Sequence, residues 1–208
     1  MMQIRFFRKL SAMVLFMTVV LVGCRSAAPP VEFYTLSALN PATTKANPSV
    51  AASNIAVGVG PVQIPQVLDR PQIVTRTGPN KLTLDEFHRW AGSLQADFAQ
   101  VLAENISLLL GIDHVAVYPW EVGFTPDYRI AVDIRSFEGQ WGENVLLDVI
   151  WQITDRSGTK TLAVNKSLIT EPLPTASYDA LVAAQSQAVA QLSREIVQEI
   201  RNLQAKAN

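Results

Sequence analysis

The sequence predicts an α/β fold of the α+β kind: a single domain with a largely antiparallel mixed sheet and two main helices packed on it. Three observations carry that expectation. Several stretches alternate apolar and polar residues, two longer ones repeat apolar residues every three or four positions, and Gly, Pro, Asn and Ser punctuate the boundaries.

Taken in order, EFYTL at residues 32–36 is an aromatic strand candidate. Residues 37–53, rich in Ala, Ser, Thr, Asn and Pro, read as a loop crossing the surface. From Asn54, NIAVGVGPVQIP alternates Ile55, Val57 and Val59 until Pro61 and Pro65 interrupt it. QIVTRT, the turn Gly78-Pro79-Asn80-Lys81 and LTLDEF form a hairpin. Trp90, Leu94, Phe98, Val101, Leu102, Ile106 and Leu109 then recur at helical spacing, and Gly111 stands where a C-terminal cap belongs. The start of this helix is open between a capping box of Thr83 with Glu86 and a cap at Ser93. DHVAVYPW is a short strand. DYRIAVDIRSFEGQ, NVLLDVIWQITD and TKTLAVNKSLIT form an antiparallel meander that Pro172 and Pro174 end. Ser177 caps a last helix from Tyr178 to near Gln204, with Val182, Val189, Leu192, Ile196, Ile200 and Leu203 as its apolar stripe.

The start of the chain has its own layout. Residues 1–9 carry Arg5, Arg8 and Lys9 and no acid, and residues 10–23 are almost wholly apolar. Fourteen apolar residues make about 21 Å of helix, short of the roughly 30 Å hydrocarbon core of a bilayer. A secretory signal peptide fits better than a membrane span. Leu21-Val22-Gly23-Cys24 looks like a bacterial lipobox, in which the thiol takes diacylglycerol, the chain is cut before it and the new amino group is acylated. Two or three acyl chains (palmitate among them) anchor a protein stably where one does not. The alternative is a secreted protein with an unpaired thiol. Cys24 is the only cysteine, so no disulfide forms within the chain. The expected organisation is a signal peptide at 1–23, a lipidated tether at 24–31 and a folded domain at 32–205. Without residues 1–23 the chain has 14 Lys and Arg against 18 Asp and Glu. That balance argues against nucleic acid or an anionic bilayer surface as the main partner.

Chemistry is sparse. His88 and His114 are the only histidines, too few for a multi-histidine zinc site. Neither a nucleophile elbow nor a calcium-loop spacing is present. Gly58-x-Gly60 sits in a strand that ends in Pro61 and opens no helix, so it is no phosphate loop. Asp97 and Glu104, seven apart, read as a solvated helix face rather than an acid–base pair. No catalytic residue, metal site or cofactor is expected. The segment VQIPQVLDRPQIVTR stands out. Asp69, Arg70 and Pro71 either pair and fix a bend or form a rigid exposed loop that docks a partner. The residues alone favour the bend.

EFYTL soon after the cysteine, VLDRPQIVTR before a hairpin and HRWAGSL running into VLAENIS resemble, in that order, the ABC-transport auxiliary lipoproteins typified by PqiC. The resemblance spans nearly the whole chain after residue 31. AGSL departs from it, where an acidic or Pro-containing turn is expected after the Trp. The resemblance implies a non-enzymatic lipoprotein of the outer membrane, on its periplasmic face, and Arg25 in place of Asp after Cys24 agrees with that destination. It implies a partnership with an MCE-domain tunnel protein and its inner-membrane transporter, in a system moving phospholipids or other hydrophobic molecules and maintaining the envelope. It also implies that Asp69, Arg70 and Pro71 are docking candidates, with Trp90 in the core. A homo-oligomeric ring matching a symmetric tunnel is a further expectation. A structural envelope lipoprotein or an envelope hydrolase are the alternatives.

Overall fold

Alternating side chains build the centre of the sheet. In the computed structural model, which describes residues 29–42 and 55–207, the longest central strand, Asn144–Thr154, buries Val145, Leu147, Val149, Trp151 and Ile153 on one face. In chain order the strands are β1 Glu32–Tyr34, β2 Val57–Gln63, β3 Gln72–Gly78, β4 Lys81–Trp90, β5 Val115–Val117, β6 Tyr128–Ser136, β7 Gly139–Gln140, β8 Asn144–Thr154 and β9 Thr161–Pro172. Helix α1 is Leu94–Leu110 and α2 is Tyr178–Ala207. The signal segment, Cys24 and most of the 37–53 loop lie outside the described residues.

The nine strands form one mixed sheet. β8 lies between β9 on one side and β6 and β7, end to end, on the other, all antiparallel to it. β2 pairs parallel with β6, and β3 pairs parallel with β7. β2 and β3 therefore follow one another along a single line of the sheet. β5 flanks β2, the β3–β4 hairpin closes the other end, and β1 adds in parallel to β4. The long pairings are antiparallel, and the parallel ones other than β2–β6 are short.

Both helices pack on the same face and against each other: α1 sits on β2 and β5, α2 on β8 and β9. Leu94, Phe98, Leu102 and Ile106 of α1 meet Leu181, Val189, Leu192, Ile196 and Ile200 of α2 in one core with the inward strand residues. That core runs from Leu36 to Ile200, and Val31–Asn208 is a single compact unit. The hydrophobic core of the described residues thus lies wholly within this unit, which can fold on its own.

α1 starts later than the apolar spacing suggests. HRW belongs to β4, and the helix begins after Ser93, whose Oγ accepts the Ala96 N–H at 3.3 Å. Thr83 and Glu86 lie in β4 and form no capping box. Gly111 closes the helix at φ 67°, ψ 41°, a left-handed cap, with its N–H on Ser107 O. Ser177 caps α2 through the Ala180 N–H at 3.2 Å. Residues 36–39 run across the helices: Asp97 Oδ2 accepts the Leu36 N–H, Ser186 Oγ the Ser37 N–H, and Asn105 Oδ1 the Leu39 N–H. Asp97 is therefore not the solvated carboxylate its helical position suggested, and it does not act with the exposed Glu104. Burial pushes its carboxyl up, partly opposed by the Leu36 N–H.

Candidate functional site

The loop between β2 and β3 is short and internally braced. The Leu68 and Asp69 N–H groups both donate to Pro65 O, at 2.8 and 3.2 Å, and the Arg70 N–H donates to Leu68 O at 2.9 Å. Leu68 plugs the loop into the core at 4% exposure, while Val67, Asp69 and Pro71 face solvent. Pro71 O accepts the Trp90 N–H at 2.7 Å, which fastens the loop to the end of β4. Trp90 is in the core at 5% exposure, but as the last residue of a strand.

Among the described residues, Asp69 and Arg70 form no ion pair. The bend is made by Leu68 and the backbone, so a mutual salt bridge does not explain the two charges. Arg70 is half-buried, and its Nε is buried with no hydrogen-bond partner. A guanidinium cannot shed its charge, and an orphaned buried donor costs free energy that an acceptor recovers. The loop thus presents an exposed carboxylate beside an incompletely satisfied guanidinium on a rigid support.

A second cluster lies where β1 meets β4 and the start of α2. His88 stacks on Tyr178 with centroids 3.9 Å apart. Its Nδ1 is 2.9 Å from Asp85 Oδ1, and its Nε2 is 3.5 Å from Glu32 Oε2. Tyr34 donates to Glu32 at 2.7 Å and Tyr178 to Asp85 at 3.1 Å. Burial and then these carboxylate contacts push both phenols above their ordinary range. The cluster has no nucleophile poised on the imidazole, and it fastens β1 to the rest of the domain. Residue order conceals it, because Glu32, Asp85 and Tyr178 come from three distant segments. His114 is exposed, and its carbonyl accepts the Val57 N–H.

Gly58 and Gly60 make room for aromatic rings. A Cβ on Gly58 would stand 2.8 Å from Trp120 Cζ3, and one on Gly60 would stand 2.7 Å from Tyr118 Cβ. Gly60 also has φ +123°, a conformation L side chains rarely adopt. Trp120 packs between Tyr118 and Phe124. The G-x-G pattern is thus a packing device; isolated strand glycines are the usual sign of such close approach. Gly58→Val is expected to cost about 1–3 kcal/mol by overpacking. Thermal unfolding and a change in tryptophan fluorescence check this, and unaltered values for both would show that Trp120 does not rest on Gly58.

Among the described residues, no three His, Cys, Asp or Glu side chains converge to hold a metal ion, and no helix is long and apolar enough to cross a membrane. A nine-stranded mixed sheet with two helices packed on it defines a single α+β domain. The chain belongs to the family described as ABC-type transport auxiliary lipoprotein component, whose sequence pattern it matches over residues 34–197. That family consists of transport auxiliary components, not enzymes. Among solved structures, one described only as an uncharacterized protein is similar, with TM-score 0.67 and 20% identity over 83% of this chain and 99% of that one. A Xanthomonas campestris protein of family DUF330 is similar with TM-score 0.64 and 20% identity, over 85% of this chain and 100% of that one. At this identity both likenesses concern the fold. A search of curated proteins finds no match.

Proposed function

We propose that the chain is an outer-membrane lipoprotein, anchored through Cys24 after removal of residues 1–23, whose domain at 32–205 docks the distal end of an MCE-type tunnel protein. The tunnel and its inner-membrane transporter move phospholipid or similar hydrophobic cargo between the membranes, and the lipoprotein receives or steadies the tunnel's end. Copies of the chain form a ring about the tunnel axis. Family membership supports the transport role. The observation that carries the docking is the Asp69-Arg70-Pro71 loop, where a rigid backbone holds an exposed carboxylate and a guanidinium Nε without an acceptor. Such a pair, set on a fixed loop, suits a complementary charged rim on a partner.

The loop also lies near β1. Gln72, the residue after Pro71, pairs with Arg89, which pairs with Phe33. Two strand spacings, about 10 Å, separate the loop's end from β1.

A photocrosslinker at Asp69 is expected to capture the tunnel protein in intact cells. Arg70→Glu should reduce co-purification at least about tenfold while leaving the fold intact, the loss of a charge-assisted contact. Wild-type co-purification of the folded variant, or no crosslink from position 69, would sink the docking surface and leave a structural brace as the better account.

A further inference from the structure

The helices cover one face of the sheet, and on the opposite face, among the described residues, Arg129 has no ion-pair partner. Arg129 in β6 lies opposite Gly58 of β2 and Thr154 of β8. Its guanidinium carbon is 5.4 Å from the centre of the Trp120 ring, and its Nε is buried with no hydrogen-bond partner. Asp127, two residues before Arg129, and Asp155, next to its cross-strand partner Thr154, are both taken. Asp127 accepts from Arg156 at 2.6 Å and from the Ala56 N–H at 2.9 Å. Asp155 accepts from the Ser157 hydroxyl and the Lys160 N–H. Contact with an aromatic face offsets only part of what a half-buried guanidinium loses where its Nε leaves water. Arg129 thus keeps a fixed charge and a free donor.

The surroundings suggest what completes it. Arg129, Trp120, Tyr118, Gln152 and Thr154 line a recess of about 260 Å³. Pro61, Ala131 and Gln152 are shared with a second recess of about 300 Å³, which continues over Ile150 and Val164. Val164 is 61% exposed, and Val122, two residues beyond Trp120, is fully exposed. A cationic end with a hydroxyl and an amide therefore opens into a trough with apolar walls. Asp133, in the far recess, has Arg135 as its nearest cation at 3.9 Å.

We infer that this cleft binds an anionic amphiphile. Its phosphate or carboxylate sits on Arg129, Gln152 and Thr154, and its hydrocarbon chain lies along Pro61, Ala131, Ile150 and Val164. The planar guanidinium matches either two-oxygen anion. One cation followed by an apolar trough suits a single anionic group on a chain, whereas a nucleic acid needs a row of cations. The site draws on Gly60 and Pro61 of β2 and on β6, β8 and β9, with no residue of the Asp69–Pro71 loop in its lining, so the inference stands apart from the docking proposal.

The soluble domain, residues 31–208, tests it without any partner. In proton–nitrogen correlation spectra that resolve arginine side chains, dodecyl phosphate below its micelle concentration is expected to shift the Arg129 Nε–H signal, identified by its loss in R129Q. Dodecanoate should act likewise, neutral dodecyl maltoside should leave the signal in place, and inorganic phosphate should bind at least about tenfold more weakly. R129Q and V164E should each weaken dodecyl phosphate binding at least about tenfold, with circular dichroism unchanged. Equal affinity for inorganic phosphate would reduce the cleft to a free-anion site and overturn the amphiphile. An unmoved Arg129 signal, or wild-type affinity in R129Q, would overturn the site itself.

Discussion

Phe98→Ala is expected to lower the unfolding free energy of the domain by about 3–5 kcal/mol. Phe98 is fully buried on α1, and its ring meets Phe137 edge-on, with centroids 5.3 Å apart and planes at 85°. Phe137 stands at the joint between β6 and β7, and that joint is held from several sides. Gln185 of α2 donates to Phe137 O at 2.8 Å, and the Phe137 N–H donates to Glu138 Oε2 at 3.1 Å. Glu138 is in turn gripped by Arg76 of β3. With its surroundings pinned, the space left by the ring cannot close, so the cavity cost adds to the lost burial. For a domain of this size each kcal/mol lowers the melting temperature by about 2–4 °C. Calorimetry should therefore show a drop of roughly 6–20 °C. Phe33→Ala, at a site 65% exposed, is the control and should change stability by less than about 0.5 kcal/mol. Equal effects from the two would mean that the α1–sheet contact is not central to the core.

The same joint shows what local pattern conveys and what it does not. β8 and β6 alternate almost without exception, and α2 repeats its apolar residues on one face, so their types were legible from spacing alone. β4 was only half legible. Register shifts in the β3–β4 pairing break its alternation, while Trp90, Leu94 and Phe98 stand four apart and imitate a helix across the strand–helix junction. Ser93 was one of two candidate caps, and the chain uses it because β4 continues to Trp90. The parallel pairing of β2 with β6 joins segments about seventy residues apart, with α1 between them, and no local period records it.

The candidate sites divide in the same way. Asp69, Arg70 and Pro71 were visible as charges and a proline between two strands, but the missing ion pair and the orphaned Nε needed coordinates. Asp97 reads from spacing as a solvated carboxylate and Asn105 carries no signal, because their partners are backbone N–H groups of residues 36 and 39, whose local composition signals nothing of the kind. Arg129 was hidden among alternating strand residues. The one advance sign of its surroundings was Gly58 and Gly60, strand glycines too costly to keep without something large approaching the backbone.

Losing the anchor should have the largest consequence for activity. When residues 1–23 are exchanged for an ordinary cleavable secretory signal and Cys24→Ala is introduced, the protein should move from the membrane to the soluble periplasmic fraction. It should also cease to incorporate labelled palmitate. The domain itself is unaffected, because its core begins at Leu36. What disappears is position. Eight residue steps lead from Cys24 to Glu32, so a tether anchored at Cys24 reaches at most about 29 Å when extended and would hold β1 within that distance of the bilayer surface. A short tether confines the docking loop in a small volume, where the effective concentration of a bound partner is of order millimolar. Free diffusion removes that advantage without altering a single contact. The soluble variant should therefore still crosslink to the tunnel protein through position 69 when overproduced, yet fail to restore envelope integrity at native levels. Full complementation at native levels would show that the domain acts without a membrane address, and the anchoring part of the proposal would then fall while the docking surface stood.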